Sequence, residues 1–253
     1  MHSVRSRPNI ILIHGAWQGS WGWSKVLPLL DSRGWRAVAV DLPGNGVDST
    51  APEDVTLDLY VDHVMRAAEA LDGPVAIVGH SGAGVVASQV GEAIPDKVSC
   101  LVYLAGMMLP NNTEFADIVG ALVTEHPHAM GIGRHLIWSA DRVTSSVSPH
   151  AAIETFFHDC DPADAQWAAQ RLTPQPERGR AIKPHLTPAR YGRVPRIYIE
   201  AALDRSVIPE AQRLMQRLSP GARRIVMQTG HVPQLAKPEV LVTRLTEILD
   251  GAV

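Results

Sequence analysis

Ser81, Asp204 and His231 are the three residue types that together make a hydroxyl nucleophilic. The hydroxyl attacks, an imidazole takes its proton, and a carboxylate orients the imidazole and balances its charge. The serine has the clearest local signal. Val75-Ala-Ile-Val-Gly79-His80-Ser81-Gly82-Ala83-Gly84 is an apolar, partly β-branched run that stops in small residues before helix formers. It predicts a strand, a very tight turn and a helix, with the serine at the apex. Such a turn strains the serine backbone and pushes its hydroxyl outward. The first N–H groups of the following helix then face whatever the serine attacks. The pattern G-x-S-x-G ends here in Ala83, with Gly84 one step later, so the crossing must accept one extra methyl.

Two other readings compete for the same letters. The serine could be idle in a glycine-rich turn. Gly82-Ala-Gly-Val-Val-Ala87 also fits the dinucleotide fingerprint G-x-G-x-x-G/A. That fingerprint needs an acid at the end of the next strand, and Val98–Leu104 ends instead in Ala105-Gly106. The turn is also not the first strand–helix turn of the chain.

Asp204 and His231 each follow a strand. Ile197-Tyr-Ile-Glu-Ala-Ala-Leu-Asp204 puts the acid in the loop beyond one, and Arg224-Ile-Val-Met-Gln-Thr-Gly-His231 puts the imidazole beyond the next. Taken singly, Asp204 could cap the helix near Pro209, and His231 is one of 11 histidines. The chain order Ser, Asp, His is the order that goes with this serine turn. Glu200, inside a strand, and Asp250, at the chain end, fit less well. An oxyanion needs two backbone donors: Gly82 N–H after the serine, and Ala16 N–H from His14-Gly15-Ala16-Trp17 after the first strand. Trp17, Trp21 and Trp23 read as packing residues, with Trp17 near enough to line a pocket.

The elements that must position these groups alternate. Strands are expected at Asn9–His14, Arg36–Val40, Pro74–Gly79, Val98–Leu104, Arg196–Glu200 and Arg223–Met227. Helices are expected at Trp21–Arg33, Thr56–Leu71, Gly82–Ile94, Pro209–Leu218 and Leu235–Leu249. Continuous apolar strands separated by helices predict a parallel sheet covered on both faces. Residues 107–193 break the rhythm with prolines, Trp138, Trp167 and Phe156-Phe157. They are expected to form an inserted helical cap over the sheet edge where ligands bind, with residues 1–106 and 194–253 as the core.

Bulk properties narrow the function classes. The chain has 253 residues and a net charge of −3 without a basic block, which speaks against nucleic acid or an anionic membrane surface. Cys100 and Cys160 do not suggest a disulfide framework. The segment Met1 to Pro8 has no apolar stretch of the secretory kind, and no run approaches membrane-spanning length, so a soluble cytoplasmic protein is expected. No histidine pair stands at metal-binding spacing beside a carboxylate; His126 and His128 lie in a proline-containing stretch. Neither metal nor cofactor is expected. Oligomeric state is open, with a homodimer the one assembly considered.

The joint pattern resembles the α/β-hydrolase superfamily. It is carried by His14-Gly-Ala-Trp-Gln-Gly-Ser-Trp-Gly-Trp23, Asp41-Leu-Pro-Gly44, Gly79-His-Ser-Gly-Ala-Gly84, Tyr198-Ile-Glu-Ala-Ala-Leu-Asp-Arg-Ser-Val-Ile-Pro209 and Gly230-His-Val-Pro-Gln-Leu-Ala-Lys-Pro238. Within that superfamily it is similar to the branch of plant methyl esterases, salicylate-binding esterases and hydroxynitrile lyases, with their bacterial relatives. The resemblance covers nearly the whole chain and is weakest in the cap. It implies a mostly parallel, doubly wound sheet of about six strands with a cap, the triad Ser81–Asp204–His231, and Ala16 and Gly82 as oxyanion donors. Gly82 departs from the larger residue usual there, and Gln18 from a first-loop histidine often seen.

Three functions follow from that resemblance. One is a serine hydrolase of a small apolar carboxylic ester, or a related carbamate or amide, through an acyl-enzyme. The second is a hydroxynitrile lyase, whose family members carry threonine and lysine where this chain has Gly15 and Val232. The third is a non-catalytic small-ligand receptor. For the first, the substrate is expected to touch Trp17, Trp138, Phe156, Phe157, Trp167 and Val232.

Overall fold

The computed structural model describes residues 7–251; most of the N-terminal segment read above for a secretory signal lies outside the described residues. Six strands form one all-parallel sheet: β1 (Asn9–Ile13), β2 (Ala37–Val40), β3 (Val75–His80), β4 (Val98–Leu104), and, after a long excursion, β8 (Arg196–Ala201) and β9 (Ala222–Met227). Their spatial order is β2-β1-β3-β4-β8-β9. The chain steps outward from β1 to β2, then returns past β1 to β3. The topological switch point therefore lies between β1 and β3, and a ligand crevice is expected outside their carboxyl ends.

Alternation along the strands splits the core in two, because successive side chains point to opposite faces. Ile11, Ile13, Ile77, Leu101, Tyr103 and Tyr198 pack with α2 (Leu57–Glu69), α3 (Ala83–Ala93) and α7 (Pro209–Leu218). Ile10, Leu12, Val78, Val102, Leu104 and Ile199 pack with α1 (Val26–Asp31) and α9 (Pro238–Gly251). The helices are built as their sequences ask. In α2, Tyr60, Val61, Val64 and Ala68 form the buried stripe, and the Thr56 hydroxyl accepts from Leu59 N–H at the first turn.

Two expected helices divide. Trp21–Arg33 becomes a 3₁₀ turn at Ser20–Trp23 and then α1. Pro28 fits only in a first turn, where its missing N–H has no helical partner, so the helix must start just upstream of it. Leu235–Leu249 becomes a short α8 (Pro233–Ala236) and α9, because Pro238 drives Lys237 out of the helical region, to φ −143°, ψ 56°.

The excursion between β4 and β8 is not wholly helical, which corrects the expected helical cap. It contains α4 (Phe115–Leu122), α5 (Pro149–Thr155) and α6 (Pro162–Ala169). It also contains a three-stranded antiparallel sheet of β5 (Leu136–Trp138), β6 (Thr144–Val147) and β7 (Gln175–Pro176). Strands of two to four residues are too short to show a period-2 pattern in sequence.

The serine turn needs β3 and α3 almost in contact. A Cβ on Gly79 would sit 2.7 Å from Ala83 O and 3.1 Å from Ala87 Cβ. Gly79→Ala is expected to cost about 1–3 kcal/mol of stability through this overpacking, measured by urea unfolding. An unchanged midpoint would mean that the crossing has slack.

Candidate active site

Ser81 stands at the β3–α3 turn in the left-handed region, with φ +53°. A side chain seldom adopts this conformation unless the surroundings hold it. Here Ser81 N–H donates to Leu104 O at 3.2 Å. Ser81 O accepts from Gly84 N–H at 3.0 Å and from Met107 N–H at 2.8 Å. The strain of the turn is therefore held by three backbone hydrogen bonds, and the hydroxyl is left for other work.

Parallel strands bring the other two groups to the same edge. His231 Nε2 lies 3.1 Å from Ser81 Oγ, and His231 Nδ1 lies 2.8 Å from Asp204 Oδ2. Ionised Asp204 only accepts, so Nδ1 carries the proton and the Nε2 lone pair faces the serine hydroxyl. Asp204 Oδ1 accepts from Ser206 N–H at 2.7 Å and Val207 N–H at 3.0 Å. Asp204 thus also shapes the turn that leads to α7, but it does not cap the helix: the N-cap is Ile208, which no side chain caps, so the capping reading is corrected. All three residues are buried. Glu200 is occupied elsewhere: burial pushes its carboxyl up, but ion pairs with Arg224 and Arg213 outweigh that and hold it below the usual range.

Two further histidines were not given a role by sequence. His80, next to the serine, is fully buried, and its Nε2–H donates to His231 O at 2.8 Å. Burial pushes its imidazole well below the ordinary histidine range, and nearby His231 adds to that. His14 Nε2 accepts from Leu42 N–H at 3.0 Å, so its Nδ1–H donates to Gly15 O at 2.9 Å. Burial lowers this imidazole as well. The signal for both was a histidine at the buried carboxyl end of a strand.

A cavity of about 580 Å³ opens over Ser81. Ala16 and Gly82 line it, and among the described residues neither backbone N–H has a hydrogen-bond partner. No heavy atom outside its own neighbourhood lies within 4 Å of where a Gly82 Cβ would stand. The walls are mostly aliphatic, with Met107, Phe115, Val119, Met130, Ile132 and Val207 prominent. Asn45, Tyr60 and Gln175 supply a polar corner.

Of the six expected substrate contacts, only Trp17 lines the cavity; the other five are corrected. Phe156 stacks on the His231 ring at 5.3 Å and 27°, Trp17 stacks on Phe156, and Phe157 meets it edge-on. Val232 is buried in the same cluster. Trp167 packs edge-on against Trp21 and under Arg171. Trp138 lies under the Arg142 guanidinium. Large aromatic rings are drawn to dry packing sites, and these buttress the cap and the imidazole. Four of these wall residues sit on the short α4 and on a 3₁₀ stretch at Pro127–His135, and Met107 and Val207 sit in the loops after β4 and β8; apolar residues there read simply as core.

Among the described residues, no group of three or more histidine, cysteine or acidic side chains could hold a metal ion. Nor is any of their helices long and apolar enough to cross a membrane.

The fold recurs in known proteins. Methylesterase 9 of Arabidopsis thaliana is 26% identical over 250 residues, covering 95% of this chain and 97% of its own. The crystal structure of a pyrethroid hydrolase from Sphingobium faniae JZ-2 matches with TM-score 0.84 at 25% identity, covering 97% of this chain and 98% of its own. Tomato methylketone synthase I complexed with 2-tridecanone matches in fold with TM-score 0.83 at 23% identity, covering 98% of this chain and 100% of its own. The profile of the Alpha/beta hydrolase family matches residues 10–244, and the chain belongs to that family.

Proposed function

We propose that this chain hydrolyses a small apolar carboxylic ester through an acyl-enzyme on Ser81. The observation that carries the proposal is the continuous relay Asp204–His231–Ser81 at the floor of a mostly aliphatic cavity. The name of the similar Methylesterase 9 supports an ester substrate. Ser81 Oγ attacks the ester carbonyl while His231 Nε2 takes its proton. The carbonyl oxygen becomes an oxyanion bound by the N–H groups of Ala16 and Gly82. His231 returns the proton to the departing alkoxide, and the alcohol leaves. Water, deprotonated by the same imidazole, then cleaves the acyl-serine to the acid. Asp204 stays ionised and offsets the imidazolium charge at each stage.

The lyase alternative finds no support at its two diagnostic places. A Cβ on Gly15 would lie 2.9 Å from His80 Nδ1 and 3.0 Å from Ser81 Cβ, so threonine is not accommodated without movement. Val232 brings no cation beside His231 and is buried among apolar residues.

Ser81→Ala is expected to lower kcat by about 10³-fold or more while the protein stays folded. A panel of methyl, aryl and carbamate esters, with circular dichroism as the fold control, measures this. Near-parent rates would remove the serine mechanism.

The acid limb of kcat/KM should have a slope of one, because the reaction passes one proton to one imidazole, that of His231. Its neutral form accepts the serine proton and its protonated form cannot, so activity falls as pH falls. Burial pushes the His14 and His80 imidazoles down, so they take up protons only at more acid pH than an ordinary histidine. Their depressed values also mean that the unfolded chain binds protons first. Stability is therefore lost in the same acid direction, and the profile is read only where the protein stays folded. A slope of two on the acid limb would count against this assignment.

Specificity should follow the cavity walls. Val119→Trp is expected to raise KM for bulky esters by about tenfold or more while sparing methyl esters, since crowding a wall excludes volume. Trp138→Ala is expected to leave the ranking unchanged. A changed ranking in Trp138→Ala alone would return specificity to the cap aromatics.

A further inference from the structure

The loop that carries Ala16 is held at both ends. At its start, His14 links Leu42 N–H to Gly15 O. At its end stands Trp17, in the left-handed region at φ +62°. Three hydrogen bonds tie Trp17 to the cap. Its indole Nε1–H donates to Ser145 O at 3.0 Å, and its carbonyl accepts from Thr173 N–H at 2.9 Å. Its backbone N–H donates to Gln175 Oε1 at 3.0 Å.

The last bond belongs to a closed polar ring. Gln175 Oε1 also accepts from Asn45 Nδ2 at 2.9 Å. Gln175 Nε2 donates to Pro176 O at 3.2 Å and to Tyr60 Oη at 3.3 Å. The Tyr60 hydroxyl donates to Asn45 Oδ1 at 3.0 Å. Gln175, Asn45 and Tyr60 are each 2% exposed. Burial pushes the Tyr60 hydroxyl up to about 12, so it remains a donor. A backbone N–H can only donate and a carbonyl can only accept, so the Gln175 amide fits in one orientation. Among buried groups, a lost partner costs more than a bond made in water returns.

The Trp17 N–H is therefore consumed by the cap, while the Ala16 N–H, one residue earlier, has no partner among the described residues and lines the cavity. Two successive N–H groups thus have different duties, and the left-handed Trp17 separates them. The indole contact and the aromatic cluster already pack the cap against Trp17. What the Gln175 amide adds is a fixed rotation of the Ala16–Trp17 turn.

We propose that Gln175 is a positioning residue of the esterase site: by accepting the Trp17 N–H it orients the Ala16 N–H toward the oxyanion, so that docking of the cap completes the oxyanion hole. The proposal rests on the esterase reading above. Gln175 acts through Trp17 and Ala16, not on the reacting atoms.

Gln175→Met keeps the length and removes the acceptor; Gln175→Glu keeps an oxygen for the Trp17 N–H and, with its carboxyl held neutral by burial, an O–H donor for Pro176 O. The probe is a trifluoromethyl ketone analogue of the best ester in the panel. Ser81 Oγ adds to its carbonyl carbon, the serine proton passes to His231, and the carbonyl oxygen becomes an oxyanion. Gln175→Met is expected to lower kcat about 10–100-fold, and affinity for the ketone by a similar factor, with KM within about threefold. Gln175→Glu should stay within about fivefold of the parent on both measures. A residue that merely stabilised the fold would lower the melting midpoint of both variants and leave the ratio of ketone affinity to KM unchanged. If Gln175→Met does not fold, Gln175→Asn, one methylene too short to reach Trp17, is read in its place. Parent kcat and ketone affinity in a folded Met or Asn variant would overturn the proposal, as would equal losses in Met and Glu. Ser81→Ala runs alongside: if it still turns over, the esterase reading fails, whereas an inert Ser81→Ala beside unaffected Gln175 variants sinks this inference alone.

Discussion

The left-handed backbone of Ser81 is the constraint on which the site depends. A residue with a Cβ pays roughly 1–2 kcal/mol to stand there, and it does so only when its neighbours leave it no other course. Those neighbours are fixed by the sheet. Gly79 is in register with Ile13 of β1 on one side and Tyr103 of β4 on the other, so all three strands end at one level. That level brings Leu104 O to the Ser81 N–H, and Met107 N–H to the Ser81 carbonyl. The strain is thus distributed over a parallel sheet whose two faces are already buried. The hydroxyl is presented from a sheet buried on both faces, which on the esterase reading suits a group that must hold its aim within a fraction of an ångström.

Three buried histidines crowd this edge, and burial alone would make each neutral and inert. Their partners separate them. His14 stands between a backbone donor and a backbone acceptor, and His80 donates to the His231 carbonyl. Neither hydrogen-bonds to a carboxylate, and the attraction of Asp41 for His14 does not overcome the effect of burial. His231 alone has Asp204 at 2.8 Å. On the serine-hydrolase reading, a proton taken from Ser81 would have one place to rest, while the other two imidazoles tie together the loops on either side.

How much could be read in the chain follows from the same physics. The six strands were legible because burial on both faces makes them continuous apolar runs. Asp204 and His231 were legible because loops after such strands must converge on one edge. The excursion between β4 and β8 was legible in extent and opaque in detail. Its strands are two to four residues long, and part of its wall is a 3₁₀ stretch at Pro127–His135, so neither period has room to show. The aromatics misled for a different reason. A large ring signals burial, and burial beside a reactive group can mean bracing it as well as binding what it attacks. Phe156 against the His231 ring is the first of these.

The excursion accordingly serves two ends with largely separate residues, Ile132 being common to both. α5, α6, Phe156 and Phe157 close over Trp17, Val232 and Leu235 as a dry cluster behind the imidazole. α4 and the 3₁₀ stretch face the cavity instead, with side chains of modest size and with Gly82 opposite, where no side chain intrudes. Changes of volume in the first group act on the orientation of His231 and on folding. Changes in the second act on which molecule reaches Ser81. The two groups meet where the 3₁₀ stretch packs against α5, with Ile132 both in the dry cluster and on the cavity wall, so substitutions at that seam should couple, while those well away from it should combine nearly additively. On the esterase reading, such a fold can alter its substrate with little change to its chemistry, and the residues that join the two parts are Ile132 and Trp17, each in the dry cluster and on the cavity wall, with Gln175 holding Trp17 from β7.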